Sequence, residues 1–223
     1  MNMLSAVIFD FDGIIVDSEP MHFRAFNEVL NPLEIEISWK EYCEVYIGFD
    51  DRDAFREAFK LKRKKVSSRD IKHLIKQKAE VFQHYIHSGE VTPLPGAVEL
   101  IKSIPVRLPL ALCSGALRED IDPIIKNLGI DGCFDQIITA EDTPKSKPDP
   151  APYILTCKKL NIGDPSTAVA IEDTPAGIMS AKGAGLKVLA VTNSYDRGYL
   201  MEADAVTDSL EKVSRPQLEN LIV

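Results

Sequence analysis

The 223-residue chain has little that would tie it to a membrane, a polyanion or a disulfide framework. Its four cysteines, Cys43, Cys113, Cys133 and Cys157, are scattered and form no CxxC pair. They read as reduced thiols, with no zinc or disulfide scaffold among them. No apolar run reaches the about 20 residues a membrane-spanning helix needs, and no basic stretch leads into a signal-type apolar segment. The expected residence is therefore cytoplasmic. Positive charge is in deficit, with 26 Lys and Arg against 34 Asp and Glu, a net charge of −8. That argues against nucleic acid as a partner, and it means that an anionic ligand must find local positive charge or a metal. Internal repeats and low-complexity linkers are also missing.

What is present is an alternation of strands and helices. Residues 5–11 read as the first strand, whose run of apolar or small residues ends at the carboxylates Asp10 and Asp12; such runs suit a strand buried on both faces of a parallel sheet. From residue 18 to residue 90 the apolar positions recur at helical spacing, as in Met21, Ala25, Phe26 and Val29, or Ile71, Leu74, Phe82 and Ile86. No strand of the main sheet is expected there. The basic run 60–65 reads as a solvated helix end. From Thr92 onward, strands at 106–113, 134–140, 167–171 and 186–191 alternate with helices at 121–128, 151–160 and 175–184, with a last short strand at Ala205-Val206. The pattern predicts an α/β fold, a Rossmann-like parallel sheet (1–17 and 91–223) with an inserted α-helical domain (18–90).

In a parallel sheet the strand ends open at one edge. Asp10 and Asp12 follow the first strand, Ser114-Gly115-Ala116 the second, Lys147 the connection after the third, and Glu172-Asp173 the fourth. Asp10, Asp173 and a peptide carbonyl near Asp12 make a hard oxygen set that suits Mg²⁺. Ser114 and the N–H groups of Gly115 and Ala116, read as a helix start, can hold phosphoryl oxygens. Lys147 adds a point charge and can orient Asp10. A carboxylate attacking phosphorus forms an aspartyl-phosphate, and a second carboxyl two residues on can protonate the leaving oxygen and then activate water.

Asp10-Phe11-Asp12-Gly13, Cys113-Ser114-Gly115, Lys147-Pro148-Asp149 and Ile171-Glu172-Asp173-Thr174, in this order, resemble the motifs of the haloacid dehalogenase superfamily of phosphohydrolases. The helical stretch is similar to the small α-helical cap of that family's phosphatase and β-phosphoglucomutase branch. The resemblance implies Asp10 as nucleophile and metal ligand, and Asp12 as general acid/base with its carbonyl on Mg²⁺. It implies Ser114 and Lys147 on the phosphoryl group and Asp173 on the metal. Glu172 is implied as a direct ligand or as a partner through water. Arg52 and Lys78 are candidate phosphate contacts from the cap, with solvated positions as the alternative, and His22 reads as a hinge or surface histidine.

The expected activity is that of a Mg²⁺-dependent phosphatase acting on a small phosphorylated metabolite, such as a sugar phosphate or a phosphoglycolate-like acid. Two alternatives stand beside it, a β-phosphoglucomutase-type mutase and a receiver-like domain that takes up phosphate without turnover. Against the mutase, Ile47 beside Gly48 cannot hold a second phosphate, and Asp50 and Asp51 would repel it. The cap-sized insertion and the intact Asp12 argue against the receiver. The sequence leaves the oligomeric state open, with a monomer favoured.

Overall fold

The computed structural model describes residues 3–46, 49, 51–89 and 91–222. In chain order the elements are β1 (Ala6–Phe9), β2 (Val16–Asp17), α1 (Glu19–Leu30), α2 (Trp39–Val45), α3 (Asp51–Leu61), α4 (Ser68–His87), β3 (Thr92–Pro93), α5 (Ala97–Ser103), β4 (Leu110–Cys113), α6 (Arg118–Asn127), β5 (Gln136–Ile138), α7 (Ala151–Lys159), β6 (Ala168–Glu172), α8 (Pro175–Gly183), β7 (Lys187–Val191), β8 (Ala205–Thr207) and α9 (Arg215–Glu219). The chain divides into two compact units, Met1–Asp17 with Thr92–Val223, and Ser18–Val91.

The first unit is built on a six-stranded sheet among the described residues, in the order β5-β4-β1-β6-β7-β8, with every pairing parallel. Ala6, Val7, Ile8 and Phe9 are fully buried, as their unbroken apolar run predicts. Burying each of the larger three contributes about 1.5–3 kcal/mol. β1 lies inside the sheet, between β4 and β6, in the registers Phe9↔Leu112 and Phe9↔Ile171. The ends of these three strands are thereby brought level.

The strands are shorter than the sequence pattern suggests. The predicted strand 106–113 begins only at Leu110: Leu108 donates its N–H to Pro105 in a turn, Val106 is fully exposed, and Pro109 enters the ladder only as an acceptor for Val7. The predicted 134–140 strand narrows to Gln136–Ile138 because Asp142 draws the Thr139 N–H into a turn and Asp135 spends a carboxylate oxygen on the Leu110 N–H. Helix α6 starts at Arg118, three residues before the predicted 121, with Glu119 and Asp120 suited to its positive end. The antiparallel pair of β2 with β3, in the register Asp17↔Thr92, has no counterpart in the sequence pattern. Two-residue strands carry no readable alternation.

The second unit is helical. Helix α4 opens on a capping box of Ser67 and Asp70 and buries Ile71, Leu74, Lys78, Phe82, Tyr85 and Ile86, spaced one helical turn apart or adjacent. Its apolar core draws on α1, α2, α3 and α4, with Phe26 and Phe55 at its centre. No helix of the described residues is long and apolar enough to cross a membrane.

Candidate active site

The carboxyl ends of β1, β4 and β6 carry the chemistry-bearing groups. Asp10, the residue after β1, is nearly buried and gives its N–H to Ile171. The chain then turns sharply through residues 11–16, with the N–H groups of Ile15 and Val16 on the Phe11 carbonyl and that of Gly13 on Val16. Gly13 has φ +77°, and a Cβ there would fall 1.9 Å from Asp173 Oδ2. Only glycine lets the turn approach that carboxylate. Glu172, the last residue of β6, and Asp173 after it are fully buried. Helix α8 starts at once, with the Thr174 hydroxyl accepting the Gly177 N–H as its cap.

Lys147 ties these ends together. Its Nζ lies 2.8 Å from Asp10 Oδ1 and 2.6 Å from Glu172 Oε1. Its neighbour Lys145 pairs instead with Asp149, at 2.9 Å. The carboxylates of Asp10, Glu172 and Asp173 offer oxygens within 4.8 Å of one another. Asp12 lies half-buried in the turn, bridged through its backbone to Val16. Ser114, at the buried end of β4, gives its N–H to Ile138. Its Oγ accepts the N–H of Ala116 at 2.9 Å. In this structure the Ala116 N–H, expected to face a phosphoryl oxygen, is engaged by the Ser114 hydroxyl. The hydroxyl takes that N–H across two residues, and the helix opens only at Arg118. Ala116 thus orients Ser114, whose own proton remains to be donated.

Three participants escaped the sequence reading. Tyr153, buried on α7, donates its hydroxyl to Glu172 Oε1 at 2.7 Å, and Lys147 lies 5.1 Å above its ring. Beyond β7, Ser194 donates to Asp173 Oδ2 and Asn193 Nδ2 donates to the Gly13 carbonyl at 2.7 Å. Asn193 and Ser194 sit just past the predicted strand 186–191, so the strand-end rule applied to that strand as well would have found both. Tyr153 carried no signal beyond an apolar helix face.

Burial pushes the Asp10 carboxyl up to about 7, Glu172 and Asp12 add to the rise, and Lys147 opposes it. Burial, with Asp10 and Glu172 beside it, lifts Asp173 well above the usual carboxylate range. Burial draws the Lys147 ammonium down, but Asp10 and Glu172 overcome this and hold it above the ordinary lysine range. Cys113 is pushed up to about 11, chiefly by burial, so it stays a thiol at neutral pH. Asp173 Oδ1 is buried without a hydrogen-bond partner. Three clustered carboxylates, two of them on the Lys147 ammonium, with an orphaned acid oxygen and all-oxygen donors, fit a hard divalent cation.

In the second unit, Arg52 is exposed on α3. Lys78 is buried, with its Nζ 2.7 Å from Asp51 Oδ1 and 2.8 Å from His22 Nδ1. The solvated alternative for Lys78 is thus corrected, since the ion pair and the Phe82 ring beside it draw the side chain inward. His22 stacks on Phe82 at 4.1 Å, and burial, followed by the Lys78 charge, lowers its pKa well below the usual value. The repulsion expected of Asp51 is offset by Lys78. Ile47, Gly48 and Asp50, which carried the rest of the case against a mutase, lie outside the described residues.

Acidic groups gathered on a lysine at the edge of a parallel sheet define a hydrolase class, and the chain belongs to it: the model of the haloacid dehalogenase-like hydrolase family matches residues 7–191. Within that family it is a phosphoric monoester hydrolase, in the branch shared by phosphatases and β-phosphoglucomutases. It is 29% identical over 217 residues to a validoxylamine A 7'-phosphate phosphatase of Streptomyces hygroscopicus subsp. limoneus, covering 97% of this chain and 99% of that one. It is 30% identical to a phosphorylated carbohydrates phosphatase of Thermotoga maritima, covering 91% and 93%. Among solved structures, CbbY from Rhodobacter sphaeroides in complex with phosphate superposes with a TM-score of 0.85 at 25% identity, covering 97% and 99%.

Proposed function

We propose that the chain releases phosphate from a small phosphorylated metabolite, a sugar phosphate in the first instance, through an aspartyl-phosphate on Asp10. The supporting observation is the buried cluster of Asp10, Lys147, Glu172 and Asp173 with its orphaned Asp173 oxygen. Relatives aligned over nearly the whole chain, named for phosphorylated carbohydrates and for validoxylamine A 7'-phosphate, point to the substrate class.

Asp10 and Asp173 would hold Mg²⁺ together with the Asp12 carbonyl. When bound, the ion would offset the carboxylate charge and polarise a phosphoryl oxygen. Glu172 already accepts Lys147 and Tyr153 on Oε1, and the Asp173 N–H and Thr174 hydroxyl on Oε2. With about four acceptor positions on a carboxylate, it is filled, so its role is to hold Lys147 and the Asp173 backbone. A carboxylate oxygen of Asp10 attacks phosphorus and the ester P–O bond breaks. Asp12 gives its proton to the departing oxygen. Lys147 favours the ionised form of Asp10 against the effect of burial, and the Ser114 hydroxyl donates to a phosphoryl oxygen. Asp12 then takes a proton from water, which attacks phosphorus. The Asp10–phosphorus bond opens, giving inorganic phosphate and the original carboxylate.

The test is phosphate release from p-nitrophenyl phosphate with Mg²⁺ and with a chelator, followed by a panel of phosphorylated metabolites. Metal-dependent turnover supports the reading, and its absence across the panel defeats it. Conversion of β-glucose 1-phosphate to glucose 6-phosphate would move the assignment to a mutase.

A further inference from the structure

The loop after β7 makes two contacts with the site that the reaction outlined above does not use. The pairing of β7 with β6, in the register Glu172↔Ala190, brings the strand end beside the acidic pair. The Thr192 N–H on the Thr207 carbonyl at 3.0 Å ties down the start of the loop. Asn193 then grips the Gly13 carbonyl from its side-chain amide. With both anchors set, the Ser194 hydroxyl meets Asp173 Oδ2. A methyl group at Gly13 would lie 1.9 Å from that oxygen and 2.9 Å from Ser194 Oγ, so carboxylate, hydroxyl and turn are closely packed. The other oxygen, Oδ1, is buried with no partner.

We propose that Ser194 is a positioning residue that selects the metal: by occupying Asp173 Oδ2 it restricts Asp173 to one-oxygen coordination and favours Mg²⁺ over Ca²⁺. The inference rests on the metal reading of the site given above. Mg²⁺ demands near-octahedral geometry with short bonds, whereas Ca²⁺ takes six to eight oxygens and accepts a carboxylate through both of them. A hydroxyl holding one oxygen closes the two-oxygen mode. It also fixes the carboxylate rotamer before the ion arrives, as outer partners of metal ligands do.

The experiment is calorimetric titration of Mg²⁺ and of Ca²⁺, without substrate, into the metal-stripped full chain and its Ser194→Ala and Ser194→Thr variants. For Ser194→Ala we expect an about tenfold weaker Mg²⁺ affinity with Ca²⁺ affinity held or raised, so that the Mg²⁺/Ca²⁺ ratio falls. Ser194→Thr, which keeps a hydroxyl, should restore the ratio. Asn193→Ala, which frees the loop but leaves the hydroxyl, should move it the same way by less. An unchanged ratio in Ser194→Ala, whether both affinities hold or both fall together, overturns the proposal and leaves the metal reading standing. A native chain that binds no Mg²⁺ overturns both.

Discussion

Asp10 is the side chain that the fold holds against its own chemistry. Without metal its carboxyl is pushed up to about 7, first by burial and then by Glu172, against 3.8 for an ordinary aspartate. Between those two values the folded chain keeps a proton that the unfolded chain has released, so stability falls as pH rises through that window. Asp10→Asn carries no such proton. In a chelator, its melting temperature should match the native one near pH 4 and exceed it increasingly towards pH 7; a gap that widens on acidification would contradict the assignment. The same variant should keep its circular dichroism and lose p-nitrophenyl phosphate turnover, and measurable turnover would remove Asp10 as nucleophile. Tyr153→Phe tests the support beneath Lys147. Losing one hydrogen bond to a carboxylate should lower stability by about 1.5–3 kcal/mol in urea unfolding. At this scale the sequence was readable where a charged residue ended an apolar run, as at Asp10 and Asp173. It was silent where the polar atom of a core residue does the work, as at Tyr153.

At the junction of β6 and α8 the spacing leaves no room for a side chain. A Cβ on Gly177 would lie 2.0 Å from the Glu172 carboxyl carbon. Gly177→Ala must therefore displace Glu172, which holds Lys147. It should cost about 1–3 kcal/mol by urea unfolding, as overpacking does, and slow phosphate release. Gly132, whose added Cβ would meet nothing within 4 Å, is the control, and its alanine variant should stay within about 0.5 kcal/mol of the native chain. The elements themselves are legible to different degrees. The long helix α4 announces itself through its apolar period and its Ser67–Asp70 cap. Apolar patterning overextends the strands because Val106 and Phe134 are apolar. Side-chain oxygens of Asp135 and Asp142 settle the limits of β5 and its neighbour, and apolar patterning does not register such contacts.

For the whole molecule, the pairing of Asp17 with Thr92 closes the first unit across the point where the helical unit is inserted, and one apolar core cluster of that unit, running from Ala6 to Leu200, is built from its own residues. Replacing 18–91 by a short Gly-Ser linker should leave a cooperatively unfolding sheet domain in thermal melts; loss of the cooperative transition would show that the insertion completes that core. The sheet order has a further effect, on biosynthesis. β1 pairs with strands that come later in the chain, at Leu110 and Ala168, so it leaves the ribosome long before either neighbour exists. The helical core, confined to residues 23–81, is finished in the interval. Nascent chains should thus acquire a protease-resistant helical body first, while the segment bearing Asp10 waits unpaired for the far side of its own sheet.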